Sequence, residues 1–160
     1  MTYFDAPGRE NVDRMLEIVK KNAKERRIKD IVLASTRGFT AEKAWNTFKE
    51  TDIKLIVVGI GRDSFPSDLL GRLEEEGHQV LFSKELEYDY PDLVKTAYRR
   101  FCEGMKVAPE IAMIAVEKGV IPEGTVTISI GKWDTAVVLK ATKFRNFSEL
   151  KISEVLCMPR

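Results

Sequence analysis

The stretch from Ile31 to Ala44, IVLASTRGFTAEKA, runs a short apolar strand through a glycine turn rich in hydroxyl side chains and into a helical segment. Turns of this kind can hold phosphate, because hydroxyl and backbone N–H groups donate hydrogen bonds and a guanidinium supplies a planar cation. Glycine lets the backbone come close to an anion. The residues that would form such a site are Ser35, Thr36, Arg37, Gly38 and Thr40.

Thr40 and Glu42 indicate where the next helix begins. A threonine at the cap with an acidic residue soon after it is typical of a helix N-terminus, whose partial positive charge favours a bound phosphate. Ser, Thr and Gly are also the common residues of ordinary turns. The alternative interpretation is therefore a plain strand-to-helix turn capped by Thr40, and both interpretations stand at this point.

Length and composition predict one globular domain. The chain has 160 residues, of which 44% are apolar and 32% charged, values that are ordinary for a single domain with a full core. Its 26 basic and 25 acidic residues nearly cancel, so neither a nucleic acid nor a membrane surface is indicated as a partner. The N-terminus lacks the pattern of a signal peptide, and no apolar run approaches a membrane span. We therefore expect a cytoplasmic protein.

Apolar periodicity predicts that helices and strands alternate along the chain. Helices are expected over 11–27, 41–50, 67–76, 90–101 and 107–118. Strands are expected over 28–34, 54–58, 79–82, 125–130 and 137–142. Pro109 should lie in the first turn of the last helix. The loop between the last two strands, GKWDTA, is too short for a parallel crossover. The predicted fold class is α/β, a three-layer open sheet that is mostly parallel with one antiparallel edge strand.

Ligands of open α/β sheets bind beyond the carboxyl ends of the parallel strands. Three loops are expected there, with the sequences ASTRGFT, GIGRDSFP and GKWDTA. The first and third of these loops would be neighbours if the first strand is central. Besides the hydroxyl turn, the predicted site residues are Gly59, Gly131, Lys132, Trp133, Asp134 and Thr135 from these loops, and Asn11 from the N-terminal segment.

Most of these residues have a functional and a structural interpretation. Lys132 would supply a second cation to a phosphate. Trp133 either stacks on a flat ring or a cation, or plugs the end of the sheet. Asp134 and Thr135 either hydrogen-bond a ribityl or sugar hydroxyl, or form a common turn pair.

Several familiar motifs are missing. The GIG sequence at Gly59 has too few glycines for a dinucleotide fingerprint, and there is no Walker A motif. The single histidine, His78, follows the end of a helix, and this position predicts a structural role. A lone histidine away from the three loops disfavours both a histidine metal site and a Ser-His-Asp triad. Cys102 and Cys157 are far apart, and we expect two buried, unreactive thiols. No catalytic residue is assigned.

Taken together, four segments resemble the C-terminal α/β domain of pyruvate kinase, and especially the free-standing archaeal proteins that consist of this domain alone. The segments are YFDAPGREN, IVLASTRGFTAEKA, GMKVAPEIAMIAVEKGVIPEGTVTISIG with DTAVVL, and EVLCMPR. The resemblance covers nearly the whole chain. Its opening and closing segments are similar to the free-standing proteins rather than to pyruvate kinase itself.

The resemblance implies a ligand and an assembly state. In pyruvate kinases that respond to a sugar bisphosphate, the corresponding Ser/Thr turn cradles a phosphate. For the free-standing relatives, the resemblance implies flavin mononucleotide (FMN) or a similar phosphorylated ligand as the candidate cofactor, and it implies a homo-oligomer. The kinase active site lies in a (β/α)₈ barrel, which takes about 200 residues or more that this chain lacks. Pyruvate kinase activity is therefore not expected.

The leading hypothesis is a binding module for a phosphorylated small molecule, with FMN as the candidate. One alternative is a small enzyme, flavin-dependent or acting on a sugar phosphate, that uses Lys132 or Asp134 for acid–base chemistry. The other alternative is a structural subunit of an oligomer whose crevice has lost its ligand.

Overall fold

Seven strands and five helices make up most of the chain in the computed structural model, which describes residues 1–160. The strands are β1 (Thr2–Phe4), β2 (Asp30–Ala34), β3 (Lys54–Gly59), β4 (Gln79–Phe82), β5 (Val126–Ile130), β6 (Ala136–Lys140) and β7 (Lys151–Pro159). The helices are α1 (Val12–Arg26), α2 (Phe39–Phe48), α3 (Ser67–Glu75), α4 (Asp92–Arg99) and α5 (Glu103–Glu117). The predicted alternation of helices and strands is confirmed.

All seven strands form one sheet in the order β1-β7-β6-β5-β2-β3-β4. β6 runs antiparallel to β5 and β7, whereas every other pair of neighbours is parallel. This confirms the mostly parallel α/β fold and the antiparallel strand after the short GKWDTA loop. The C-terminal tail, whose apolar residues partly alternate, adds β7 beyond β6, and β1 then pairs with β7. The tail therefore packs along the domain.

The residues of β2 show why the sheet is covered on both faces. Successive side chains of a strand point to opposite sides. Ile31 and Leu33 belong to one buried core, and Val32 belongs to the other. α1, α2 and α3 cover the first face, while α5 covers the second with α4 packed against it. Burial on both faces explains the continuous apolar strands and confirms the three layers.

α5 differs from its prediction at the N-terminal end. It begins at Glu103 rather than at residue 107, so Pro109 lies inside the helix and not in its first turn. Proline lacks an N–H group and forfeits one helical hydrogen bond at such a position. Met105 and Ala108 are nevertheless buried against the sheet. The apolar face continues through the proline, and its burial outweighs the lost hydrogen bond.

None of the helices combines the length and the apolar composition needed to cross a lipid bilayer.

Candidate functional site

A cavity of about 640 Å³ lies beyond the carboxyl ends of β2, β3 and β5. Because β5, β2 and β3 are neighbours in the sheet, the three predicted loops meet at one edge. The N-terminus of α2 forms one wall and α5 forms the opposite wall. The volume falls in the range of small-molecule sites. Eight predicted site residues line the cavity: Ser35, Thr36, Arg37, Thr40, Gly59, Gly131, Lys132 and Trp133.

The hydroxyl turn is shaped by Gly38, which has a φ of 85°. A side chain there would be strained, and its Cβ would lie 2.9 Å from Leu69 Cδ2. α2 begins directly afterwards, at Phe39, so Thr40 sits in the first turn and is not the cap. The capping bond comes instead from Ser35, whose Oγ accepts a hydrogen bond from the Ala41 N–H at 3.2 Å.

Five consecutive backbone N–H groups in this turn, those of residues 36–40, make no hydrogen bond within the chain. A helix leaves its first N–H groups without partners, and the glycine turn adds those that precede them. Thr40 is only 3% exposed, yet it forms part of the cavity wall. The turn therefore presents a run of hydrogen-bond donors at the positive end of α2.

Three cations at the cavity, Arg9, Arg37 and Lys132, form no ion pair with a carboxylate. The Arg9 guanidinium lies 4.9 Å from the centre of the Phe39 ring and 5.1 Å from that of the Trp133 ring. Sequence reasoning missed Arg9 as a site residue, although it lies in the N-terminal segment beside the predicted Asn11. Unpaired cations next to unpartnered N–H groups give this end of the cavity a positive potential.

Trp133 combines its two predicted roles. It packs against the core on the α1–α3 side of the sheet, which agrees with a plug at the sheet end. It also lines the cavity, where its ring contacts the Arg9 guanidinium and the Lys132 ammonium, the latter at 4.8 Å. The indole faces therefore hold cations in place by cation–π attraction. A flat ligand ring would have to compete with those cations for the same indole faces.

Four predicted site residues lie outside the cavity wall: Gly38, which shapes the hydroxyl turn, and Asn11, Asp134 and Thr135. Asp134 is 1% exposed, and its carboxylate accepts hydrogen bonds from the Gly8 N–H and the Thr135 hydroxyl, both at 3.1 Å. Asn11 donates from Nδ2 to the Ala6 carbonyl at 2.8 Å. These side chains hold the N-terminal segment against the GKWDTA loop, which positions Arg9.

Gly131 and Gly59 allow close packing at the cavity floor. A Cβ on Gly131 would overlap the Gly104 carbonyl oxygen and would lie 2.7 Å from its carbonyl carbon, both in the first turn of α5. A Cβ on Gly59 would lie 3.1 Å from the Phe82 ring. Neither glycine has a positive φ, so space and not backbone conformation requires them. Gly131 sets the distance between the sheet edge and α5, whereas Gly59 makes room for the Phe82 ring of β4.

The wall opposite the hydroxyl turn carries a cluster that sequence reasoning missed. Lys106 Nζ pairs with Glu110 Oε2 at 2.6 Å, and the Tyr88 hydroxyl donates to Glu110 Oε1 at 3.0 Å. Burial, followed by the Glu110 charge, raises the pKa of Tyr88 to about 12, so the phenol stays protonated at neutral pH. The four-residue spacing of Lys106 and Glu110 in a helical pattern was the available signal.

The remaining reactive side chains have structural roles. His78 Nδ1 accepts a hydrogen bond from the Leu55 N–H at 3.1 Å, at the edge of the sheet opposite the cavity. This contact agrees with the structural role that its position in the sequence predicts. Cys157 is buried, and burial raises its pKa to about 12. Cys102 is half-buried, with its Sγ 3.4 Å from Thr135 Oγ1. No group of histidine, cysteine, aspartate and glutamate side chains could hold a metal ion.

No protein-family model matches the chain. Among solved structures, the fold is similar to pyruvate kinases of Cryptosporidium parvum. One shares 14% identity over 72% of this chain and 19% of its own, with a TM-score of 0.43. A second shares 11% identity over 82% and 22%, with a TM-score of 0.46. A third, solved in complex with ADP, shares 13% identity over 73% and 19%, with a TM-score of 0.40.

The chain spans about a fifth of the length of these kinases. At such low identity the similarity concerns the fold alone.

Proposed function

We propose that the protein binds a phosphorylated small molecule, with the phosphate seated on the hydroxyl turn. The observation that carries the proposal is the unbroken run of unpartnered N–H groups over residues 36–40, beside three cations without carboxylate partners. Gly38 and Thr40 are buried, where a donor without an acceptor is costly, and a phosphate supplies the acceptors that the turn lacks. Arg37 and the hydroxyl groups of Thr36 and Thr40 complete the coordination.

The rest of the cavity is suited to the body of the ligand. Beyond the positive end, its wall includes the apolar side chains of Val58, Ile60, Val107, Ile111 and Ile114. A ligand with one phosphate and a flat, partly apolar body would use both parts of the cavity. FMN has this composition and remains the candidate cofactor, with the resemblance as its further support. A sugar phosphate would use the positive end and leave the apolar wall unfilled.

The first experiment is the absorbance spectrum of freshly purified protein, followed by mass spectrometry of what a denaturant releases. A flavin spectrum or a released phosphate compound supports the proposal and identifies the ligand class. Titration of FMN, riboflavin and inorganic phosphate into ligand-free protein then shows how much the positive end and the apolar wall each contribute to the binding affinity. FMN should bind more tightly than riboflavin, because riboflavin lacks the phosphate.

The decisive variant is Arg37→Ala, with Arg14→Ala as its matched control. Arg14 lies on α1 away from the cavity, in an exposed pair with Glu17. Loss of a charge-assisted hydrogen bond should weaken FMN binding by about tenfold to a hundredfold in Arg37→Ala. The Arg14 variant should bind as the unmodified protein does. Equal FMN affinity in all three proteins would contradict the phosphate assignment.

The contacts of Asp134 do not favour the enzyme alternative in which that residue is a base, because both carboxylate oxygens accept internal hydrogen bonds. Lys132 remains free to contact a ligand. A homo-oligomer and a cytoplasmic location are part of the same proposal and rest on the sequence. If nothing binds in any of these titrations, a structural subunit becomes the better account.

A further inference from the structure

Resting on the proposed function, we propose that the cavity selects ligands with a single phosphate, whose opposite end is uncharged and hydrogen-bonds to Glu110, Lys106 and Tyr88. The cavity then has one anion-binding end, at the hydroxyl turn, and one end that accepts neutral polar groups. This assigns a specificity-determining role to a cluster on the α5 wall. The ligand class becomes phosphate monoesters with a hydroxyl, amide or imide group at the far end.

The cluster is built into the protein and is not a loose surface pair. The side chains of Lys106 and Glu110 are 14% and 13% exposed, far less than those of most other ion pairs in the chain. Both residues project from one helix, and Tyr88 comes from the segment after β4. The Lys106 ammonium also lies 5.9 Å from the centre of the Tyr90 ring. These contacts hold the Glu110 carboxylate in a fixed position at the cavity wall.

Charge at this end explains why a second phosphate is disfavoured. The Lys106 ammonium is already neutralised by Glu110 at 2.6 Å. Glu103, which also lines the cavity, is held by Arg99 at 2.8 Å and 3.3 Å. A second phosphate beside Glu110 would therefore meet a carboxylate and a cation that is already paired, while the unpaired Lys132 acts on Glu103. Like charges brought together in a partly dehydrated cavity repel each other and weaken binding of the bisphosphate.

The same cluster retains capacity for neutral partners. Each carboxylate oxygen of Glu110 accepts one hydrogen bond from the protein and has a second lone pair. The Lys106 ammonium has three protons, of which Glu110 uses one. A group that both donates and accepts, such as a hydroxyl or an imide, can bond to Glu110 and Lys106 together. The far end of the ligand is thus recognised by hydrogen bonds and not by opposite charge.

The test compares fructose 6-phosphate with fructose 1,6-bisphosphate by calorimetric titration, because the pair differs by one phosphate. We expect the unmodified protein to bind the monophosphate at least about tenfold more tightly. In Glu110→Gln, which removes the charge and keeps the shape, this preference should fall to less than about threefold. Equal or tighter binding of the bisphosphate by the unmodified protein would overturn the inference, as would an unchanged ratio in Glu110→Gln.

Glu110→Gln leaves Lys106 without its partner and can disturb folding. The double variant Lys106→Met with Glu110→Gln keeps the volume, leaves no unpaired charge and should reduce the preference in the same way. Glu17→Gln is the matched control: it removes an exposed carboxylate of α1 away from the cavity, so the monophosphate preference should persist. Arg37→Ala tests the proposed function separately, since it should weaken both sugars alike. If the unmodified protein shows no preference for the monophosphate but Arg37→Ala still weakens binding, only the inference is contradicted and the proposed function stands.

Discussion

Both edges of the sheet carry basic residues, but only the carboxyl edge places unpaired ones beside a run of five unpartnered backbone N–H groups. At the edge formed by the amino ends of the parallel strands, Arg26 pairs with Glu154 and Lys29 pairs with Asp52. At the carboxyl edge, Arg37 and Lys132 have no carboxylate partner. The densest basic run of the sequence, residues 20–29, belongs to the first edge.

The difference teaches that the number of basic residues does not locate an anion site. The basic run lies at the C-terminal end of α1, where cations are favourable to the helix dipole and three of its six basic residues pair with carboxylates. The hydroxyl turn has a single arginine, yet it combines a helix N-terminus with unpartnered N–H groups. What distinguishes a binding edge is the set of charges and donors that the fold leaves without internal partners.

The largest expected effect concerns how closely the carboxyl edge is packed. Gly131→Ala would place a methyl group against the backbone of Gly104 and 3.0 Å from the Ala108 nitrogen. Because backbone atoms cannot rotate aside, we expect a loss of about 3 kcal/mol in the free energy of unfolding. Urea denaturation measures it. Gly71→Ala in α3, where nothing lies within 4 Å, is the control and should be neutral or slightly stabilising.

Next in size is the effect of removing Arg9 from the carboxyl edge. Arg9→Ala should weaken FMN binding by about tenfold, because one charge-assisted contact is lost. It should also alter the fluorescence of Trp133, since the guanidinium no longer lies over the indole. A Trp45→Phe background removes the other tryptophan, so the emission reports Trp133 alone. Unchanged emission and affinity would show that Arg9 does not belong to the site.

A smaller effect is expected from the same kind of substitution at the amino edge. Arg26→Met removes the exposed ion pair with Glu154. Exposed pairs contribute about 0–1 kcal/mol to stability, so thermal unfolding should change little. FMN affinity should not change at all. If Arg26→Met weakened FMN binding as Arg9→Ala does, the distinction between the two edges would fail.

The smallest effect is a pH dependence at the amino edge. Burial lowers the pKa of His78 below its ordinary value of 6.5, because it disfavours the charged ring. The neutral ring accepts the Leu55 N–H bond. As pH falls, the unfolded chain binds this proton first, so stability is complete above pH 6.5 and decreases toward the lowered pKa. His78→Asn keeps an acceptor without titrating. Its melting temperature should vary less than that of the unmodified protein between pH 7 and 5.5.

Local patterns predicted the fold well, and they predicted the site in part. The buried strand β4 has its predicted bounds, because apolar runs between turn residues are decided by nearby sequence. The hydroxyl turn lines the cavity for the same reason: its strand, turn and helix are consecutive. Arg9 and Tyr88 were not found, since both reach the cavity through contacts between distant segments.

Asp134 is a different case. Its place in the GKWDTA loop allowed either a hydrogen bond to a ligand hydroxyl or a turn pair with Thr135, and in the structure the Gly8 N–H, from the far end of the chain, bonds to one of its oxygens. A sequence pattern shows that a polar side chain is near an edge. It does not show which donors of the protein itself hydrogen-bond to that side chain.

The Gly8–Asp134 hydrogen bond separates the chain's first residues from the cavity. β1 contributes only three residues at the margin of the sheet, and short margins open at low free energy. Arg9 lies beyond that bond, against the rings of Phe39 and Trp133, so it stays at the cavity when β1 frays. Amide hydrogen exchange at Tyr3 and Phe4 should therefore be the same with and without ligand.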